Sequence, residues 1–255
     1  METRPAKKRT PGKGVRLPRM GAITPELRKN AAFLARRGAL ALGSFVLWLH
    51  LLFVVATMPL VLYCKWFDPP VTGIMLYRSV IWNWKNEPIR FVPLEKIPSR
   101  FRNMAVKVED GSFMTHRGIL LPALKNAWRL NKNLGEPMYG GSTITMQTAR
   151  TLFLNPEKSY LRKYLEMILA LEMEYVMGKD RILELYLNYA EWGKGVYGMN
   201  GASWHYWKTD VGRISTDRAV RLVTLLSSPI KYGPDTISKS AILRQRYAYL
   251  VKRFE

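Results

Sequence analysis

Three stretches carry residue types that could do chemistry. The first is Glu109-Asp110-x-x-Phe113-x-x-His116-x-Gly118. The second is GGSTITMQTAR, Gly140 to Arg150. The third is RKYLE, Arg162 to Glu166, followed closely by KDRILELYLN, Lys179 to Asn188. A carboxylate can take a proton from an attacking hydroxyl, and cations opposite it can stabilise a leaving anion. An isolated Glu-Asp pair is more often a solvated decoration at a helix end, because charges normally sit at the surface. Arg162 and Glu166 stand at i, i+4 on a helical pattern, where a plain salt bridge contributes a few tenths of a kcal/mol. Against that, Arg150, Lys158, Arg162 and Lys163 place four cations within 14 residues, which suits a phosphate clamp. GGST lacks the lysine and spacing of a nucleotide-binding loop. It reads better as a turn presenting Ser142, Thr143 and backbone amides. His116 has no second His or Cys at ligand spacing, so no metal is expected on it.

Together these stretches resemble the peptidoglycan glycosyltransferases, glycosyltransferase family 51, which includes monofunctional biosynthetic transglycosylases and the polymerising domains of bifunctional penicillin-binding proteins. The family patterns E-D-x-x-F-x-x-H-x-G, G-G-S-T-I-T-Q-Q, R-K-x-x-E and K-x-x-I-L-E-x-Y-L-N occur here in order, between about FVPLEKIP and SSPIKYGP. Met146 stands where the first Gln of the pair is usual, Arg150 where Lys is usual, and Leu120 where Asp is common. The resemblance implies a lysozyme-like fold and a lipid II substrate, a disaccharide-peptide on undecaprenyl diphosphate. A sugar 4-hydroxyl displaces the diphosphate with inversion, giving β-1,4-linked glycan. It further implies Glu109 as the base and Glu166 as an aid to substrate orientation or to the leaving diphosphate. Ser142, Thr143, Thr145, Gln147, Arg150, Lys158, Arg162, Lys163 and Asn188 would contact substrate. Asp110, Phe113, His116, Gly118, Gly140 and Gly141 would shape the site. No organic cofactor is implied, and a divalent cation is left open. The expected partners are lipid II and the growing glycan chain, with cell-wall or division proteins as further candidates and no nucleic acid.

Two other classes compete. A glycan-cleaving hydrolase or lytic enzyme of related fold needs a catalytic Glu but neither the cation cluster nor GGSTIT. A non-catalytic cell-wall scaffold would use only the tail and anchor. Ser228-Pro-Ile-Lys231 matches the S-x-x-K of penicillin-binding transpeptidases, but 24 residues and no K-T-G follow it, so a monofunctional enzyme is expected.

The elements that must position these residues are mostly helical. Gly38 to Cys64 is a run of 27 residues without Asp, Glu, Lys or Arg, and a spanning helix needs roughly 20 apolar residues. Residues 1–37 hold 11 Lys and Arg against Glu2 and Glu26. The positive-inside rule then puts the N-terminus in the cytoplasm and residues 65–255 outside; the resemblance implies that this membrane is the bacterial inner membrane and the outside is the periplasm. The reading is therefore a disordered basic tail over 1–37, a transmembrane anchor over 38–64, and a mainly α, lysozyme-like glycosyltransferase domain over 65–255. The net charge is +21, of which +12 lies beyond the tail and calls for an anionic partner. The lone Cys64 allows no disulfide framework.

Residues 65–100, broken by FDPPVTG and EPIRFVPLEKIP, are expected to be extended or loop-like. Helices are expected over SRFRNMAVKVED with Ser99 as N-cap, over LPALKNAWRLNKN, and over TITMQTARTLFL. SYLRKYLEMILALEMEYVMG gives the clearest helix, capped by Ser159 and stopped by Gly178. DRILELYLN, STDRAVRLVTLLSS and KSAILRQRYAYLVKRFE follow, with EWGKGVYGMNG as a glycine-rich loop. Trp128 among the cations of LLPALKNAWRLNKNL suggests either a headgroup-resting helix or an ordinary amphipathic one.

Overall fold

The computed structural model describes residues 25–134 and 140–254. The first 24 residues of the expected tail, and residues 135–139 of the expected loop before GGST, lie outside them. The chain divides into two units, residues 1–51 and 52–255.

In the first unit the described residues form one helix, the opening part of α1 (Pro25–Trp66). Pro25 occupies the first helical position, where its missing N–H costs nothing. Residues 25–37 were expected within the disordered tail and are helical instead, because no breaker separates them from the apolar run. Among the described residues one helix, Arg28–Trp66, is long and apolar enough to cross a membrane.

The second unit begins with the last turns of α1, and here the anchor boundary at Cys64 needs correction. Val61 and Cys64 are buried in the core of this unit. The Thr57 hydroxyl donates to the carboxylate of Glu172 at 2.9–3.0 Å. Arg181 donates through Nε to the carbonyl of Cys64 at 2.9 Å and through Nη2 to that of Phe67 at 2.8 Å. These turns are part of the folded domain, so a cut at residue 64 would remove core.

The stretch expected to be extended or loop-like contains a helix, α2 (Gly73–Trp82), capped by the Thr72 hydroxyl, which accepts from the Met75 N–H. It ends at Asn83 in the left-handed region. A short 3-10 turn and α3 (Ser99–Glu109) follow. Pro98 holds the N-cap position of α3, and Ser99 is its first residue with no side-chain cap. Then come α4 (Leu121–Leu134), α5 (Ile144–Phe153), α6 (Tyr160–Val176) and α7 (Lys179–Tyr189). Ser159 caps α6 as expected from sequence. Gly178 is the N-cap of α7, directly after Met177, the C-cap of α6. The glycine-rich stretch folds into a two-stranded antiparallel hairpin, β1 (Glu191–Gly193) and β2 (Val196–Tyr197), which leads into α8 (Met199–Trp207). The chain closes with α9 (Thr216–Leu225) and α10 (Ala241–Phe254).

The core explains the order of packing. α5 is only ten residues long, too short to persist alone. Seven of those residues are buried, and the helix lies against α6 and α7. Burying each large aliphatic side chain contributes about 1.5–3 kcal/mol. Phe101 and Met104 of α3, Leu169 and Met173 of α6, Ile182 and Leu185 of α7, and Val220 and Val223 of α9 share one cluster with Ile144 of α5. On α4, Leu121 and Trp128 are exposed and Ala127 is buried.

Candidate active site

Glu109 is the last residue of α3, where the helix delivers its side chain to the start of α5. The carboxylate is 12 % exposed. Arg246 of α10 forms an ion pair with Oε1. The amide of Gln147, in the first turns of α5, donates to Oε2 at 3.1 Å. Each carboxylate oxygen carries two lone pairs, so both retain an acceptor site for an incoming hydroxyl.

Asp110 points the other way. Its Oδ2 accepts from the Ile144 N–H at 2.9 Å and from His116 Nε2 at 2.8 Å. His116 Nδ1 in turn accepts from the Gly118 N–H at 3.1 Å. That pair of bonds is satisfied by one neutral tautomer, protonated on Nε2. Asp110 thus satisfies one orphan N–H at the start of α5, and His116 staples the loop beneath it. Phe113 is fully buried, its ring capped by the ammonium of Lys179 at 4.5 Å. Gly118 adopts φ +83, and a Cβ there would meet Glu174 Cγ at 2.8 Å and the Ala170 carbonyl at 3.0 Å. Gly118→Ala is expected to cost about 1–3 kcal/mol through backbone strain alone. Thermal denaturation measures it, and an unchanged midpoint would contradict the tight packing of this loop on α6.

Glu166 is fully buried on α6. Arg162 and Lys163, one turn earlier, both pair with it, Lys163 Nζ at 2.7 Å. Lys163 also donates to the Ser142 hydroxyl. The i, i+4 bridge that spacing alone allows is therefore present, but in a buried, two-cation form. Burial pushes the Lys163 ammonium below its ordinary range. Glu166 opposes that shift, while Arg150 and Arg162 add to it. Arg150 is half-buried on α5. The segment from Ser142 to Gln147 touches both acidic groups, the first through Lys163 and the second at Glu109.

Several residues expected to touch substrate are committed elsewhere. The Thr143 hydroxyl caps α5 by accepting from the Met146 N–H at 3.1 Å and donates to the Gly118 carbonyl. Thr145 is fully buried and donates to Glu174 at 2.6 Å. Asn188 accepts from the Val92 N–H at 2.8 Å and donates to the carbonyls of Val92 and Glu184, each at 2.9 Å. Its amide is used up in pinning residue 92 to α7, so it is a scaffold residue. Met146 is fully buried, a position that an apolar side chain can fill without leaving a polar group unpaired. Lys158 is exposed and makes no ion pair or hydrogen bond among the described residues, so the cluster comprises three of the four expected cations. Gly140 is exposed. At Gly141 a Cβ would lie 2.8 Å from the Ala123 carbonyl and Leu124 Cα, so α4 packs on it only as glycine.

Sequence reasoning missed Arg246 and Tyr186. Arg246 lies among three other cations of the last helix, Arg244, Lys252 and Arg253, and nothing local distinguishes it. Its Nε is buried without a partner, as is the Tyr186 hydroxyl. Burial pushes the Tyr186 phenol well above its ordinary value, and the charge of Glu109 adds to that. It stays a neutral donor near the carboxylate.

Comparison with known proteins agrees with this geometry. The family model described as Transglycosylase matches residues 78–255. A biosynthetic peptidoglycan transglycosylase of Bordetella pertussis is 37% identical over 216 residues, covering 82% of this chain and 88% of the relative. The protein of the same name from Burkholderia thailandensis is 35% identical over 253 residues, covering 96% and 94%. That of Herminiimonas arsenicoxydans is 34% identical over 223 residues, covering 83% and 96%. The chain belongs to the transglycosylase family, and its domain is a mainly α, lysozyme-like one.

Proposed function

We propose that the chain is a peptidoglycan glycosyltransferase that polymerises lipid II into β-1,4-linked glycan. One observation carries the reading: a single segment, Ser142 to Gln147, ties the Glu109 carboxylate to the buried Arg162–Lys163–Glu166 cluster. A sugar 4-hydroxyl attacks the anomeric carbon of the lipid-linked chain. The new C–O bond forms as the bond to diphosphate breaks, and the diphosphate leaves with the electron pair. Glu109 takes the hydroxyl proton. Arg162, Lys163 and Arg150 stabilise the departing diphosphate by charge-assisted hydrogen bonds, and Glu166 holds the first two in place. The reaction so written balances without an organic cofactor. The helix Arg28–Trp66 anchors the enzyme in the membrane that carries its substrate. The basic N-terminal segment stays cytoplasmic and the catalytic domain lies outside, where the glycan grows.

The test is polymerisation of labelled lipid II by the detergent-solubilised full-length protein. Long glycan products support the reading. Release of sugars from finished glycan without consumption of lipid II would replace it with a hydrolase.

A pH dependence follows from Lys163. Its pKa is lowered, so as pH rises it loses its charge earlier than an ordinary lysine. Polymerisation should fall on the alkaline side as that proton leaves. Lys163→Arg should move this limb upward, because a guanidinium does not deprotonate in the accessible range. A pH–rate profile with the same alkaline limb in both proteins would remove Lys163 from the active charge state.

A further inference from the structure

An apolar groove runs beside Arg162 and is not used by the chemistry above. Its volume is about 570 Å³, and it opens to solvent between α2 and the first turns of α6. Leu76, Val80 and Ile81 line it from α2, and Leu161 and Leu165 from α6. Val80 is 75 % exposed, Leu161 68 % and Ile81 61 %. Contiguous apolar surface of this kind marks a binding site more often than it is left bare. Both walls are held in place. The Thr72 cap starts α2, and the Tyr77 hydroxyl donates to Glu157 on the segment before α6.

Arg162 is the charged residue lining the groove, and it serves two surroundings. Its Nη1 pairs with Glu166, while its Nε is buried and has no hydrogen-bond partner. An apolar channel with the Arg162 guanidinium in its wall, and Lys163 next to it in the chain, matches a ligand with a phosphate head and a hydrocarbon tail.

We infer that the groove receives the first isoprene units of the polyprenyl chain on the lipid-linked substrate, with the diphosphate at the head of that chain on Arg162. The substrate class rests on the function proposed above; the position of the chain is new. A bilayer phospholipid has a similar chemical outline. The polyprenyl diphosphate is favoured because Arg162 belongs to the cluster that faces the leaving group, so a head bound there is the reacting one. The volume lies within the range of small-ligand sites and takes the start of the chain rather than all of it. The groove would then set how far the diphosphate sits from Glu109, turning chain binding into orientation of the reacting bond.

The experiment compares polyprenyl diphosphate with inorganic diphosphate by titration calorimetry on the full-length protein in detergent. The variant is Val80→Gln with Leu161→Gln, two exposed positions outside the catalytic cluster. The wild type is expected to bind polyprenyl diphosphate at least about tenfold more tightly, a factor that burial of about two methylene groups already supplies. The variant should bind the two probes within about threefold of each other, keeping its affinity for inorganic diphosphate. Equal binding of both probes by the wild type would overturn the inference. So would displacement of the polyprenyl probe by phosphatidylglycerol at the same concentration, which would make the groove a bilayer contact. Polymer formation is scored separately. Chain-dependent binding without any polymer would defeat the proposed function and spare the groove, and polymer without chain-dependent binding would defeat the groove alone.

Discussion

Glu109→Gln is expected to lower polymerisation of lipid II by at least about a hundredfold, the lower end of what a positioned base contributes. The amide keeps the shape of the carboxylate and cannot accept the proton. The structure adds a second consequence. Arg246 and the Gln147 amide both donate to Glu109. A glutamine has one acceptor oxygen and one donor amide, so one of those two bonds must break or invert. Gln147 can rotate its own amide to present oxygen, which leaves the Arg246 contact intact. Arg246 then faces a neutral amide in place of its partly buried counter-charge, so the stability cost should be roughly the 1.5–3 kcal/mol of a hydrogen bond to a charged group, and lipid II binding should survive. Rate and binding are measured on the same preparation. A variant that polymerises at the wild-type rate would transfer the base to another group. A variant that unfolds would mean that the Arg246 pair is structural first.

Glu166→Gln should behave differently, with a large loss of stability as well as activity. Its carboxylate is fully buried and faces two cations. Removing its charge leaves Arg162 and Lys163 uncompensated, and breaking such a buried pair typically costs about 3–5 kcal/mol. For a domain of this size that is a fall in Tm of roughly 10 °C. Stability loss alone would not reveal a catalytic part. The triple variant Arg162→Met, Lys163→Met, Glu166→Leu separates the two, since replacing an entire buried charge cluster by apolar residues is often neutral or stabilising. It should fold with near-wild-type stability and form no polymer. If it polymerises normally, the cluster is scaffold and the leaving diphosphate is stabilised elsewhere.

Both predictions depend on what local sequence can and cannot specify. The uncharged run after Gly38, the helical period of Tyr160–Val176 and its Ser159 cap were legible, because each is set by bonds and burial within a few residues. So was the pairing of Arg162 with Glu166, since i, i+4 neighbours share a helix face; that Lys163 joins it came from the structure. The motif order also named Glu109, Asp110 and Gln147. The resemblance gave Glu109 the place of the base and Asp110 a shaping one, but the partners came only from the structure: Glu109 keeps acceptor capacity, whereas Asp110 binds the Ile144 N–H and His116.

The tertiary structure decided the rest. α2 was missed because GIMLYRSVIW is short, follows Asp-Pro-Pro and is rich in residues equally at home in a strand; packing on α5 makes it a helix. The docking of Val61 and Cys64 shows that the C-terminal end of one apolar run belongs to the domain core, a boundary that hydropathy alone does not draw. Thr143, Thr145 and Asn188 carry groups that could bind a sugar, and each is spent on a distant backbone or carboxylate. Arg246 reaches Glu109 from 137 residues away. Whether a polar side chain is free for substrate depends on which partners surround it once water is excluded. Those partners come from other elements, so the answer is set by packing and not by spacing along the chain.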